Sequence, residues 1–449
     1  MKRIFKTLAF AAALFCAVSA LAQDRTEVLK VYNWSSYIAE SFTDEDGTYH
    51  PGVIEEFEAW YKEQTGKEIE VKYMTFDVNE AMLSKIEKGH EDFDVVCPSD
   101  YIIERMLNDG LLLPLDFSSL EKTGTENYIV NNTSPYIKKI FSEINPEIDA
   151  NAYSVAYMWG TTGIIYNTEK VSKEDASTWA VVKNPKYAGK ILLKDAPRDV
   201  YAPVLIYLKQ DELKAGNVTL QDLMRDSSDE SLAAVESFLM EAKPYVCGFE
   251  ADLGKEQMTK ERAYVSLNWS GDAVWAIEEA ASVGVKLDYI VPEEGSTVWF
   301  DGWVIPKYAK NIEAATYFIN FMCRPDIAIR NMEETGYISA NGSKEVLESQ
   351  IDEEAYEPID LSYFFGEDAD SVCVDPILYP DVTVIERCAL EHDWGTDTDK
   401  LLAMWGRVKG SKASVTTIIL VAVAFLAIVG FIAFKRLSGR KSKKTSKKH

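Results

Sequence analysis

The chain reads as an α/β protein of two lobes, and two observations predict this. Strand-like and helix-like hydrophobic patterns alternate along it, and the body between its termini, about 390 residues, is more than one core accommodates. Residues 29–32 read as a strand, and 53–64 as a helix with Val53, Ile54, Phe57, Trp60 and Tyr61 on one face. A strand follows at 68–73 with alternating apolar residues. The helix expected at 79–88 is stopped by Gly89, and 93–97 forms a buried strand. Helical patterns recur at 231–242, 273–281 and 312–332. Such alternation argues for layers of helices on parallel strands. The acidic stretch 43–49 reads as a surface insertion. Its Asp44-Glu45-Asp46-Gly47 starts like a calcium loop but lacks the remaining ligand spacing. There is no internal repeat.

The termini predict where the body resides. Residues 1–22 carry Lys2, Arg3 and Lys6, then an apolar run, then Ala20-Leu21-Ala22, the pattern of a cleaved secretory signal peptide. Phe15 precedes Cys16 where a lipid-modification site needs a small residue. Residues 413–434 contain no charge, matching the ~20 residues that cross a bilayer. The tail 435–449 holds eight lysines and arginines, the mark of a cytoplasmic flank. The expectation is an extracytoplasmic body anchored by a C-terminal transmembrane helix, on the periplasmic or extracellular face of the cytoplasmic membrane.

The net charge is −25, and −36 without the three cations of the leader and the eight of the tail. So acidic a body argues against nucleic acid and against lying on anionic lipid. Five cysteines follow the leader: Cys97, Cys247, Cys323, Cys373 and Cys388. Their odd number and irregular spacing give neither a disulfide framework nor a paired metal motif. Cys97 and Cys323 read as core, and Cys373 and Cys388 are a possible bridge in an oxidising compartment. Four scattered histidines make a zinc enzyme improbable, and no cofactor is expected.

Five separated segments place tryptophan or tyrosine beside carboxylates or hydroxyls. They are Tyr32-Asn33-Trp34-Ser35-Ser36-Tyr37, Pro98-Ser99-Asp100-Tyr101, Asp195-Ala196-Pro197-Arg198-Asp199, Asn268-Trp269-Ser270-Gly271-Asp272 and Trp299-Phe300-Asp301. Aromatic faces attract an organic ammonium and its methylenes, while carboxylates accept its N–H bonds. The plain alternative is that Trp34, Trp269 and Trp299 are core rings, Asp272 caps the helix near Ala273, and Arg198 pairs locally with an acid. Trp60, Trp159, Trp179, Trp275, Trp303, Trp394 and Trp405 are assigned to packing.

These segments, with Asp94-Val95-Val96-Cys97-Pro98-Ser99-Asp100-Tyr101, Tyr157-Met158-Trp159-Gly160-Thr161-Thr162-Gly163, Pro185-Lys186-Tyr187-Ala188-Gly189, Arg324-Pro325-Asp326 and Gly336-Tyr337, follow a familiar order. From about Val28 to Arg407 the chain resembles the periplasmic spermidine/putrescine-binding proteins of ABC transporters. The resemblance implies a hinged, two-lobed periplasmic-binding-protein fold that closes on a polyamine and delivers it to a permease and its ATPase. It implies a first lobe of 23–155 and 299–344, and a second of 156–298 and 345–410. It assigns Trp34, Ser35, Tyr37, Ser99 and Tyr101 to the first lobe's wall, and Trp299 and Asp301 to an aromatic face and a central carboxylate. Asp199 and Trp269 match an acid and a stacking ring of the second lobe, and Tyr337 a tyrosine facing the cleft. No catalytic residue is implied.

Departures from the family pattern bear on the ligand. Ala196 stands where spermidine-preferring members have aspartate, and Asp272 matches putrescine-preferring members. Against this, Ser36 replaces an acid and Ala251 a hydroxyl residue, and Asp199 is one methylene shorter than the usual glutamate. The balance favours putrescine, with spermidine close behind. A glycosidase also uses paired carboxylates and aromatic platforms, but needs one raised acid and a sugar-sized groove. Iron capture favours clustered tyrosines, and anions favour arginines and helix N-termini. A different organic cation, or a tethered sensor without transport, remains the alternative.

Overall fold

The first βαβ run follows its hydrophobic pattern closely. In the computed structural model, which describes residues 26–250 and 254–410, strand β1 is Val28–Trp34. Helix α1, Val53–Thr65, buries Val53, Phe57, Trp60 and Tyr61, as the 3.6-residue spacing requires, and stops at Gly66 in the left-handed conformation. Then come β2 (Glu70–Phe76), α2 (Asn79–Glu87), β3 (Val95–Val96) and α3 (Asp100–Asn108). β1 pairs in parallel with both β2 and β3.

The second half is built on β4, Ser154–Asn167, fourteen residues long and buried throughout. After it come β5 (Ile191–Lys194), α4 (Pro197–Leu208), α5 (Asp229–Ala242), β6 (Val246–Glu250), β7 (Val265–Trp269) and α6 (Ser270–Ser282). Next are β8 (Leu287–Ile290), β9 (Ser296–Val304), α7 (Ile312–Met322), α8 (Pro325–Thr335) and β10 (Ile338–Ser339). The strand order is β2-β1-β3-β9-β4-β7-β5-β6, with β8 and β10 also on β4. β5 pairs in parallel with β6 and β7.

Two corrections concern strand direction and helix length. β4 runs antiparallel to β7, β8, β9 and β10, so parallel pairing is left to the outer ladders of each lobe and to a short pair of Ser296–Thr297 with Cys388–Ala389. The start of β4 pairs with β9 and β10, and its end with β7 and β8, so one strand of ~45 Å at 3.3 Å per residue serves both lobes. The helix expected over 312–332 is two, because Pro325 has no N–H to continue α7 and its fixed φ suits the first turn of α8.

Successive residues of β1 feed opposite faces of the first lobe. Tyr32 belongs to one core cluster with Ile103, Phe141, Trp159 and Phe300, and Val31 to another with Phe57, Tyr61, Trp303 and Phe318. Leu347, Leu361 and Phe364, from the segment expected in the second lobe, join the Tyr32 cluster. Ile165, Leu192, Ala273, Ala276 and Tyr289 form a core of the second lobe. Trp159, Trp179 and Trp303 are fully buried, whereas Trp275, expected in packing, is 37% exposed. It falls on the outer side of α6, away from the Ala273 and Ala276 face. The 43–49 insertion is an exposed hairpin of Phe42–Thr43 and Tyr49–His50. Cys373 and Cys388 are free thiols. The leader 1–22 and the apolar segment 413–434 lie outside the described residues, among which no helix is long and apolar enough to cross a membrane.

Candidate functional site

Trp299 and Asp301 lie two residues apart on β9, a spacing that puts both side chains on one face. Directly after Asp301 the pairing of β9 with β4 shifts by a bulge, a local re-aiming of the strand. The Asp301 carboxylate is 7% exposed, yet well supplied with donors. Tyr37 Oη donates to its Oδ2 at 2.8 Å, and Ser99 Oγ to its Oδ1 at 2.6 Å. Ser99 in turn accepts from Asn79 Nδ2 at 3.0 Å, and the same amide donates to Tyr101 Oη at 3.0 Å. Burial pushes the Asp301 carboxyl up to about 6. The hydroxyls of Ser99 and Tyr37 act against that shift and the Asp199 charge adds to it. The Trp34 indole is near enough to favour the Asp301 anion, but its N–H misses hydrogen-bond geometry and is buried without a partner, as is that of Trp299.

The second lobe contributes the ends of parallel strands, the usual place for ligands in α/β sheets. Trp269 closes β7, and its Nε1 donates to Asp199 Oδ1 at 2.7 Å. Asp199 lies in the first turn of α4. Burial raises its carboxyl, opposed by the Trp269 N–H and by the Lys194 charge. Asp272 lies in the first turn of α6, which begins at Ser270 rather than at Ala273. Its Oδ2 is 2.5 Å from Lys194 Nζ, and its Oδ1 accepts from Tyr337 Oη at 3.1 Å. Asp199 and Asp301 have no ion-pair partner among the described residues.

The rings join the two halves. Trp269 meets Trp299 edge-on at 6.2 Å, Trp299 meets Tyr337 at 5.4 Å, and Tyr337 meets Tyr37 at 5.8 Å. Two glycines permit this closeness. A Cβ on Gly160 would lie 2.7 Å from the Trp299 ring, and one on Gly271 would lie 2.3 Å from the Tyr337 ring.

Of the eleven residues expected from the sequence, nine form one continuous network: Trp34, Tyr37, Ser99, Asp199, Trp269, Asp272, Trp299, Asp301 and Tyr337. Tyr101 joins it only through Asn79, and Arg198 stacks on its ring, with Cζ 4.3 Å from the centroid. Arg198 also donates to the His392 carbonyl and to Thr398, so its expected pairing with an acid is replaced by these contacts. Ser35 points elsewhere, donating to Asp77 at 2.8 Å on the surface. Ser36, where the family pattern has an acid, takes a φ of 53°, an uncommon conformation for a non-glycine residue. Lys194 was not expected. Its signal in the sequence is a lysine ending the apolar run Ile191-Leu192-Leu193. Two surface cavities of about 580 and 600 Å3 lie elsewhere, the first beside Lys173 and Glu294, the second beside Tyr136 and His392.

Four similarities fit this geometry. The family model described as bacterial extracellular solute-binding protein matches residues 53–353. The putrescine-binding periplasmic protein PotF of Escherichia coli is 30% identical over 352 residues, 76% of this chain and 85% of its own length. The spermidine/putrescine-binding periplasmic protein of the same organism is 29% identical over 398 residues, 88% and 95% of the two chains. Among solved structures, the spermidine/putrescine ABC transporter substrate-binding protein PotD from Streptococcus pneumoniae superposes with a TM-score of 0.60 at 29% identity, covering 85% of this chain and 98% of its own. With the shared two-lobed α/β fold and a network of carboxylates and rings contributed by both lobes, the chain belongs to the bacterial extracellular solute-binding proteins.

Proposed function

We propose that this protein is the solute-binding subunit of a polyamine ABC importer, favouring putrescine over spermidine and handing it to a permease powered by an ATPase. The observation that carries the reading is the Asp301 carboxylate, buried beside Trp34 and Trp299 and oriented by Tyr37 and Ser99. A buried carboxylate without a cation is costly, and an entering ammonium relieves that cost while its methylenes lie against indole faces. Asp199, also without an ion-pair partner among the described residues, offers a second acceptor. Two acceptors separated by rings packed edge to face suit a ligand with a charge at each end.

The contacts of the ligand would be Trp34, Tyr37, Ser99, Asp199, Trp269, Trp299, Asp301 and Tyr337, with Asp272 acting through Lys194 and Tyr337. Ser35 and Tyr101 bound the site from outside in this reading. The leader 1–22 exports the chain, and 413–434 anchors it with the tail 435–449 inside, which keeps a diffusible receptor beside its permease. Calorimetric titration of the full-length chain in detergent with putrescine, spermidine, spermine and cadaverine tests the reading. One-to-one saturation by putrescine at the highest affinity is expected; absence of heat from all four in ligand-stripped protein overturns it.

A further inference from the structure

Lys194 is 2% exposed, a depth at which a lysine is rarely left without compensation. Its surroundings are those a ligand ammonium requires. Nζ lies 2.5 Å from Asp272 Oδ2, 2.8 Å from Asn268 Oδ1, and 3.7 Å from the centroid of the Trp269 ring. The placement follows from the sheet. β5 runs parallel beside β7, so the last residue of β5 ends level with Asn268 and Trp269, and α6 starts immediately after them. A carboxylate, an amide oxygen and an indole face thus converge on one amine, and that amine belongs to the protein.

We propose that Lys194 is a specificity-determining residue that fills one ammonium position of the site from within. It takes up the Asp272 charge and one face of Trp269, leaving Asp199 and Asp301 as the carboxylates open to ligand. A diamine has one ammonium for each. A triamine must place its third cation in the same cleft as Lys194, where like charges repel and the complementary acid is already paired. The protein's own amine therefore sets the upper limit on ligand charge. This inference rests on the polyamine-binding reading and names the residue that selects within that class.

Lys194→Met keeps a chain of similar length against Trp269 and removes the cation. Titrating wild type and K194M with putrescine and spermidine at one salt concentration decides the matter. Spermidine affinity relative to putrescine is expected to rise at least tenfold in K194M, since Asp272 then becomes available to a third ammonium. A ratio within threefold of wild type, in a variant that still binds putrescine, overturns the role of Lys194 alone. If wild type itself binds neither amine, the polyamine reading falls and this inference with it. Should K194M fail to fold, Asp272→Asn replaces it. That variant leaves the Lys194 cation less compensated and is expected to weaken spermidine at least threefold more than putrescine; an equal effect on both overturns the proposal.

Discussion

At Asp301 burial and hydrogen bonding act in opposite directions. Desolvation raises the carboxyl to about 6, while Ser99 and Tyr37 donate to the anion. An unfolded aspartate titrates near 3.9, so the folded protein holds this proton more tightly between those two values. The stability the group contributes is complete below pH ~4 and is lost as pH rises through about 6. At neutral pH the ligand-free protein therefore carries a buried anion at its own expense. Asp301→Asn is expected to stabilise the ligand-free protein at pH 7 by up to about 3 kcal/mol, at 1.36 kcal/mol per pKa unit, with the gain shrinking toward pH 5. Denaturant melts at the two pH values check this. The same variant is expected to lose putrescine affinity at least tenfold, about 1.4 kcal/mol. Wild-type affinity should fall on acidification from pH 7 to 5, as Asp301 gains its proton. A variant equally stable and equally tight-binding would remove Asp301 from the site.

The site depends at the next scale on how closely elements approach. Tyr337 stands just before β10 and meets the first turn of α6 only because residue 271 has no side chain. Backbone lies on the α6 side and a ring held edge-on between Trp299 and Tyr37 on the other, so neither gives way easily. Gly271→Ala is expected to force these elements apart, cutting putrescine affinity at least tenfold and lowering the ligand-free melting temperature as well, because the same contact is present without ligand. Calorimetry and a thermal melt check the pair of outcomes. This dependence marks the limit of sequence reading. The helix α1 was legible because a single amphipathic stripe decides it, and the break at Pro325 had a local signal that the apolar run obscured. The family resemblance assigns Trp299 and Asp301 to the site, and β9 shows that they share a face. The Lys194–Asp272 pair had no such signal, because 78 residues separate its members and only the β5–β7 register joins them. Ser35 turns to Asp77 rather than into this network for a related reason: neighbouring a site residue in sequence does not fix direction in a loop.

For the whole molecule, β4 and β9 decide what motion is available. Each is a long strand, β4 pairs with strands of both lobes, and β9 carries Trp299 and Asp301 on the stretch that pairs with β4 around Met158 to Thr161. The parallel ladders β2-β1-β3 and β7-β5-β6 lie outside these two strands, so a bend where β4 passes from its β9 pairing to its β7 pairing is expected to turn one lobe against the other. Ligand contacts on both sides then favour the closed angle in proportion to their energy difference between states. On the proposed reading, 413–434 holds the body at a membrane and the lobes close on a diamine beside the permease. Two measurements follow. Truncation after residue 410 is expected to move the protein from the membrane fraction to the soluble one without altering putrescine affinity. Small-angle scattering of the full-length chain in nanodiscs is expected to show a smaller body on adding saturating putrescine, and no change for Asp301→Asn at the same concentration. Contraction of that variant as large as wild type's would mean that closure is driven from elsewhere than the central carboxylate.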